Sequence, residues 1–418
     1  MAAITLAKNG EEVTLLEAND KICKKLYITG KGRCNITNAT DVEGVLSNTV
    51  TNHKFLFSAL NGFKPKDTMS LLDDMGVPYK IERGNRVFPE SDKSSDIIAG
   101  FKQLLSQFGV KVILNAKVNY VKQVESGYFE VSTKEEKYLC EKVVVATGGK
   151  SYPATGSTGD GYKFAKMFGH KIVDPKPALV PIVLKDYDGS LSGLSLKNVD
   201  CKIKVGNKSF NLFGEMLFTH EGVSGPIILS LSSLINKYDV ADAKMYIDFK
   251  PALTNDQLEA RIIRDLPEYN NKDLKNYLFE LLPKSFIPYF MKNLSYENKK
   301  VNEITKANRQ EIVSKLKAFP FTIKKLGDIK EGIVTSGGVA TNQLNSKNME
   351  SKLVKNLFFV GEVVDVDALT GGFNIQIALS TGYAVGNKID EENWWFRLQL
   401  MVWVVLVSLQ FVKEFQNA

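Results

Sequence analysis

Three glycine-rich segments and two glutamates carry the chemistry this chain can do. Leu26-Tyr-Ile-Thr-Gly-Lys-Gly-Arg-Cys-Asn-Ile-Thr-Asn38 places Gly30 and Gly32 where a ligand can approach the backbone, and Lys24, Lys25, Lys31 and Arg33 supply charge for a pyrophosphate. Asn35, Thr37 and Asn38 add groups able to bond the edge of a heterocycle. Thr147-Gly148-Gly149 follows Lys142-Val-Val-Val-Ala146, an apolar run of the kind buried in a parallel sheet. Open α/β sheets bind ligands at such carboxyl ends. Further on, Gly361-Glu362 ends a buried strand, and Glu362 suits a polyol hydroxyl. Thr370-Gly371-Gly372 then makes a close approach before a helix that starts near Phe373-Asn374, whose free amides suit a developing anion. Glu17, at the end of the apolar strand 12–16, suits the ribose hydroxyls of a dinucleotide.

Each feature also has a bland reading: a solvated basic loop, a glycine turn, a strand terminus. Cys34 and Ile36 are poor residues for a solvated loop, and Cys34 reads as a buried filler. A plain turn does not explain Glu362, Asp365 and Asp367 in an otherwise apolar run.

Other chemistries are excluded by spacing. Cys23, Cys34, Cys140 and Cys201 form no C-x-x-C pair, which removes a disulfide scaffold, a zinc ribbon and a neighbouring redox dithiol. His53, His170 and His220 have no metal-ligand spacing, so no metal is expected. The net charge of +7 comes from 54 Lys+Arg against 47 Asp+Glu, with lysines scattered rather than striped. That reads as a solvated surface with no nucleic-acid partner.

The elements that must position these residues follow from the pattern. At about 100–200 residues per domain, 418 residues predict two or three domains. Residues 2–8 read as a helix stopped by Asn9-Gly10, and 110–114, 118–124 and 128–133 as strands. We expect a first part of an α/β domain over 1–177, a β-barrel-like insert over 178–252, a helical insert over 253–319, and the second part of the α/β domain over 320–389. A long helix is expected from Asn374 to about Ile389.

The apolar tail, 390–418, fits none of these. Arg397, Gln399 and Gln410 interrupt its apolar run, so it reads as a packed segment or a misread terminus and not as a membrane span. The glycine fingerprint that should stand about 20 residues before Glu17 would fall ahead of Met1. Strand 12–16 is then expected to keep an open edge, the tail being an unpreferred filler because nothing in it resembles that fingerprint. The absence of a signal-peptide pattern and of paired cysteines places the chain in the cytoplasm.

Gly32-Arg-Cys-Asn-Ile-Thr-Asn38, Gly84-Asn-Arg-Val-Phe-Pro89, Ala146-Thr-Gly-Gly149, Gly214–Pro226 and Gly361-Glu…Thr370-Gly-Gly-Phe-Asn-Ile-Gln376 resemble the BaiN/RdsA-type (YhiN-like) FAD flavoproteins over about residues 1–389. The resemblance implies a two-dinucleotide-binding-type flavoprotein fold: a Rossmann-like FAD domain interrupted by a β-barrel plus helical insert. It implies that Glu17 binds adenosine ribose, and that Lys25, Arg33, Asn35 and Asn38 line pyrophosphate and flavin. Val118 would meet adenine through its backbone, Thr147-Gly148 would pass over the dinucleotide, Glu362 would hold the ribityl chain, and Asn374-Ile375 would cap the flavin carbonyl.

The expected activity is an FAD-dependent oxidoreductase that reduces a small organic substrate with electrons from NAD(P)H through a non-covalent flavin. The flavin carries that chemistry, which agrees with the lack of a triad or metal cluster. His220 stands as a proton donor or as a structural histidine, with Tyr152 and Tyr162 as weaker candidates. Alternatives are an aminoacetone-oxidase-like amine oxidase using oxygen, and a truncated flavoprotein without activity. An RNA-modifying flavoenzyme is set aside unless the basic residues cluster on one face.

Overall fold

Val143, Val144 and Val145 have no accessible surface, as a run without polar side chains requires of the middle of a sheet. Their strand, Lys142–Val145, pairs in parallel with Leu357–Phe359 on one side and Val402–Val407 on the other. The sheet continues through Glu12–Glu17 to Lys111–Ile113, five strands, all parallel. The computed structural model describes residues 1–125, 127–296, 299–386 and 402–407. They form two units, one from Met1–Ala178 with the chain from Ile329 onward, the other from Leu179–Asp328.

In the first unit the helix Ala2–Lys8 packs on the helix Phe373–Gly386. Glycine permits the approach: a Cβ on Gly386 would stand 2.6 Å from Thr5 Cγ2, and one on Gly382 3.2 Å from the Ala2 nitrogen. Asn9 Nδ2 ties the pair by donating to the Gly386 carbonyl at 2.8 Å. Tyr120–Gln123, Phe129–Ser132 and Lys137–Cys140 form an antiparallel meander.

The open edge expected beside residues 12–16 is corrected by the structure. Val402–Val407 fills it, from Glu12 opposite Val402 to Glu17 opposite Val407. An unpaired central edge is a template for any strand-forming segment, and Val-Trp-Val-Val-Leu-Val is rich in β-formers. The rest of the tail, and residues 387–389 of the expected helix, lie outside the described residues.

The second unit is built on a closed six-stranded antiparallel barrel: Ile182–Leu184, Gly222–Ser224, Lys208–Phe218, Ser195–Val205, Lys244–Asp248 and Phe319–Leu326, in that order around the wall. Along Ser195–Val205 the period of two is plain. Val199, Cys201, Ile203 and Val205 point inward, and Lys202 and Lys204 outward. Residues 320–326, placed by pattern in the second part of the α/β domain, run in this barrel because they supply its closing strand. Helices Asn255–Asp265 and Lys306–Lys317 begin at capping boxes made by Thr254 with Gln257 and Thr305 with Asn308. Phe218, Phe286 and Phe319 lie in the core they share with the barrel. Among the described residues, no helix is long and apolar enough to cross a membrane.

Candidate functional site

The parallel strands of the first unit bring their carboxyl ends to one edge, and the glycine segments gather there. Glu362 sits on a short turn, Gly361–Val363, just past Leu357–Phe359. Its Oε1 accepts from Ser151 Oγ at 2.9 Å and from the Thr335 amide at 2.8 Å, and its Oε2 accepts from Lys25 Nζ at 2.5 Å. Lys25 Nζ also donates to Ser151 Oγ at 2.7 Å. Thr335 Oγ1 in turn accepts from the Lys150 and Ser151 amides. The sequence shows no sign of Ser151 or Thr335; only the fold reveals this half-buried charge cluster. Gly149 passes so close that a Cβ there would meet Thr335 Oγ1 at 2.3 Å.

The second contact joins the loop at 30–38 to the turn at 371–372. Gly372, at φ +95°, leaves no room for a side chain, because a Cβ would stand 2.4 Å from the Thr37 carbonyl oxygen and 2.9 Å from Asn35 Oδ1. Asn35 Oδ1 is buried without a hydrogen-bond partner. Asn38 Nδ2 donates to the Gly84 and Gly371 carbonyls at 2.9 and 3.0 Å and so clamps both loops. Asn374 uses its side chain locally, accepting from the Ala368 amide and donating to its carbonyl. That leaves the start of the Phe373–Gly386 helix to offer amides, those of Asn374 and Ile375 among them. Beneath it lies a network that the sequence reading missed: Gln376 Oε1 accepts from Thr37 Oγ1 and Thr68 Oγ1, and its Nε2 donates to the Phe63 carbonyl. A glutamine inside an apolar helix was the available signal.

Glu17 ends its strand almost fully buried. Its Oε1 accepts from Asn19 N at 2.7 Å and Asn19 Nδ2 at 2.8 Å, yet burial outweighs these bonds and pushes its pKa up to about 6. The Ala116 amide donates to the Glu17 carbonyl, which brings buried Val118 along the same edge. Thr147 is buried, and Gly148, at φ +69°, approaches Ser157 so closely that a Cβ would stand 2.8 Å from its Oγ.

Between about pH 4.5 and 6 the folded chain holds a proton at Glu17 that the unfolded chain has released. Stability therefore falls as pH rises through that window, and the cost, about 2 kcal/mol, is fully present above it. In flavin-stripped protein Glu17→Gln is expected to raise stability at neutral pH by up to that amount and to flatten this slope. Denaturant unfolding at several pH values checks it, and an unchanged slope refutes it.

Residues 1–388 match the HI0933-like protein Rossmann domain. The chain belongs to that family. The motif resemblance to BaiN/RdsA-type flavoproteins falls within it, and the HI0933-like chain is accordingly a member of a family of FAD-dependent oxidoreductases. It is 30% identical over 395 residues, 93% of this chain and 95% of the relative, to a ribosomal RNA dihydrouridine synthase of Haemophilus influenzae. To a protein of that name in Escherichia coli it is 30% identical, covering 91% of this chain and 92% of that one. To a 3-dehydro-bile acid delta(4,6)-reductase of Clostridium scindens it is 27% identical, covering 94% and 96%.

The residues of the HI0933-like chain fit the cofactor this family implies. Two polar atoms, Asn35 Oδ1 and the Tyr162 hydroxyl, are buried at or beside the site without partners, and Glu362 and Asp365 add to burial in pushing the Tyr162 pKa up. Gly148 and Gly372 hold backbone in conformations and spaces that no side chain could share.

Two of the expected residues are placed differently from the rest. Arg33 stacks over Phe88 at 4.2 Å and spends its guanidinium on Glu82 and Asp92, its Nε bonding Asp92 Oδ1 at 2.7 Å. His220 lies in the second unit, exposed, in the turn between Lys208–Phe218 and Gly222–Ser224. The thiol of Cys34 is buried and burial pushes it up to about 12, which suits a filler and not a nucleophile. No group of three or more His, Cys, Asp or Glu among the described residues is placed to hold a metal.

Proposed function

We propose that this chain binds FAD non-covalently and uses it to reduce a carbon–carbon double bond conjugated to a carbonyl, with NAD(P)H as electron donor. The observation that carries the reading is the set of contacts past the carboxyl ends of the parallel strands: Glu17 with Asn19, Gly148 against Ser157, the Lys25–Glu362–Ser151 cluster and the Asn35–Gly372 contact. The relatives' names supply the bond: a delta(4,6)-reductase of a 3-dehydro-bile acid and a dihydrouridine synthase both saturate a double bond that a nearby carbonyl polarises.

Glu17 would hold the adenosine ribose and Val118 would meet adenine. Lys25 and Asn38 would support the pyrophosphate side, and Thr147-Gly148 would let the dinucleotide pass. Gly361-Glu362 would take the ribityl hydroxyls; Asn35, Gly372 and the amides of Asn374-Ile375 would face the flavin edge, the helix start favouring negative charge there. FAD, when bound, supplies two-electron hydride chemistry. Saturating the bond needs one hydride and one proton. Four free thiols, three of them buried, support a reducing, cytoplasmic setting.

Anaerobic addition of NADPH or NADH to the yellow protein tests this: the flavin absorbance is expected to bleach, and an enone substrate to restore it. Acid precipitation is expected to leave the colour in the supernatant. His220→Ala, in the barrel unit, is expected to keep the flavin. Bleaching by amines with oxygen consumption, and none by NAD(P)H, would establish the oxidase instead.

A second reading takes a uridine in ribosomal RNA as the substrate rather than a small molecule. It is favoured by lysines that the fold, unlike the linear sequence, collects on one barrel face.

A further inference from the structure

The outer wall of the barrel carries charge in an arrangement that its own stability does not explain. Lys204 on Ser195–Val205 stands directly opposite Lys244 on Lys244–Asp248, and Lys202, two residues along, stands opposite Tyr246. Like charges directly opposed on one sheet face destabilise it. All three lysines are exposed. Lys244 Nζ bonds a neutral hydroxyl, Thr322 Oγ1, and Lys204 Nζ lies 5.5 Å from the centre of the Tyr246 ring.

Lys202 and Lys204 line an open cavity of about 560 Å³ with Ser209, Asn211 and Tyr246. The carboxylates in its wall are partly spoken for: Asp248 pairs with Lys317 at 2.6 Å, and Asp200 accepts from Asn211 Nδ2 at 3.1 Å. Across from Asp200, on the Lys208–Phe218 strand, Phe213 leaves 56% of its surface in water. Exposed lysines with no carboxylate at salt-bridge distance among the described residues, beside the half-buried ring of Tyr246 and the exposed ring of Phe213, are what a single strand of nucleic acid requires, the cations for phosphates and the rings for stacking.

We propose that this face, centred on Lys202, Lys204, Lys244 and Tyr246, docks a single-stranded segment of RNA. The proposal rests on the second reading above and deepens it by saying where the strand is held. Phosphodiester oxygens lie against the three lysines and relieve the Lys204–Lys244 opposition. Tyr246 and Phe213 offer their faces to bases. An acidic peptide would satisfy the lysines but leave both rings unused.

The experiment uses the full-length flavoprotein and a fluorescein-labelled, uridine-containing RNA of about 12 nucleotides, read by anisotropy across a salt series. Wild-type protein is expected to bind, and Lys202→Gln/Lys204→Gln to bind about tenfold more weakly, with a log–log salt slope shallower by about 1.4 for two lost phosphate contacts. Tyr246→Ala is expected to weaken binding without changing that slope. Flavin content and circular dichroism report that each variant is folded.

The docking face is overturned if the double variant binds as wild type does. It is equally overturned if Lys272→Gln, on the helical part, weakens binding as much as the double variant, or if a polyglutamate peptide binds as tightly as RNA. Wild-type protein that reduces a small enone with NAD(P)H but binds no RNA also overturns it, while leaving the reductase reading intact.

Discussion

Glu362→Ala is expected to yield protein that loses FAD on purification, with affinity lowered by one to two decades. The carboxylate accepts from three donors, one of them the Lys25 ammonium. A hydrogen bond to a charged group contributes about 1.5–3 kcal/mol, which is roughly ten- to hundredfold in affinity. Its loss also strands Lys25 without its counter-charge and frees the turn that Thr335 anchors. Glu362→Gln, which keeps an acceptor but not the charge, is expected to fall between. Flavin titration of stripped protein gives the comparison with His220→Ala, which is expected to bind FAD as wild type does. The reverse order, with His220→Ala flavin-free and Glu362→Ala unaffected, would move the site elsewhere.

Interrupting the strand Val402–Val407 is expected to have the larger structural effect. It pairs on both edges, with six residues of Glu12–Glu17 and four of Lys142–Val145, so its backbone holds the centre of the sheet. A proline there removes a ladder donor and cannot be accommodated in a central strand. Val404→Pro, or removal of residues 390–418, is expected to abolish the unfolding transition of the first unit and its flavin binding, and to send much of the chain into aggregates through the bared edges. The barrel unit, with a core of its own, is expected to keep its protease resistance. A truncated chain that melts as the full chain does would show that the sheet closes without this strand.

These expectations mark how far the linear order of residues reaches. Local physics made the short-range features legible: a short β-branched apolar run reads as a buried strand, Asn9-Gly10 ends a helix, and Thr-Gly-Gly after a strand reads as a crossing. The pattern along the chain read as an α/β domain interrupted by a β part and a helical part, and the resemblance its motifs carry implied a flavoprotein fold with a barrel insert. What stayed hidden involves residues far apart in the chain. Ser151 and Thr335 are ordinary in sequence, and Gln376 looks like a polar intruder until Thr37, Thr68 and Phe63 arrive around it. Arg33 reads as a phosphate ligand because the chain order does not show the Glu82 and Asp92 that claim it.

The same limit covers the open edge and the lysines. The pairing of residues 12–17 with 402–407 spans nearly the whole chain, and nothing local to either segment specifies its partner. Lys202, Lys204 and Lys244 look scattered because a barrel wall brings together residues some forty positions apart. Side-chain type, local periodicity and turn chemistry act over a few residues, so they determined the elements, while the family and its cofactor class came from the resemblance its motifs carry. Hydrogen-bond partners, burial and charge clustering depend on which elements end up adjacent. Those, and with them the roles of individual side chains, were decided only by the tertiary structure.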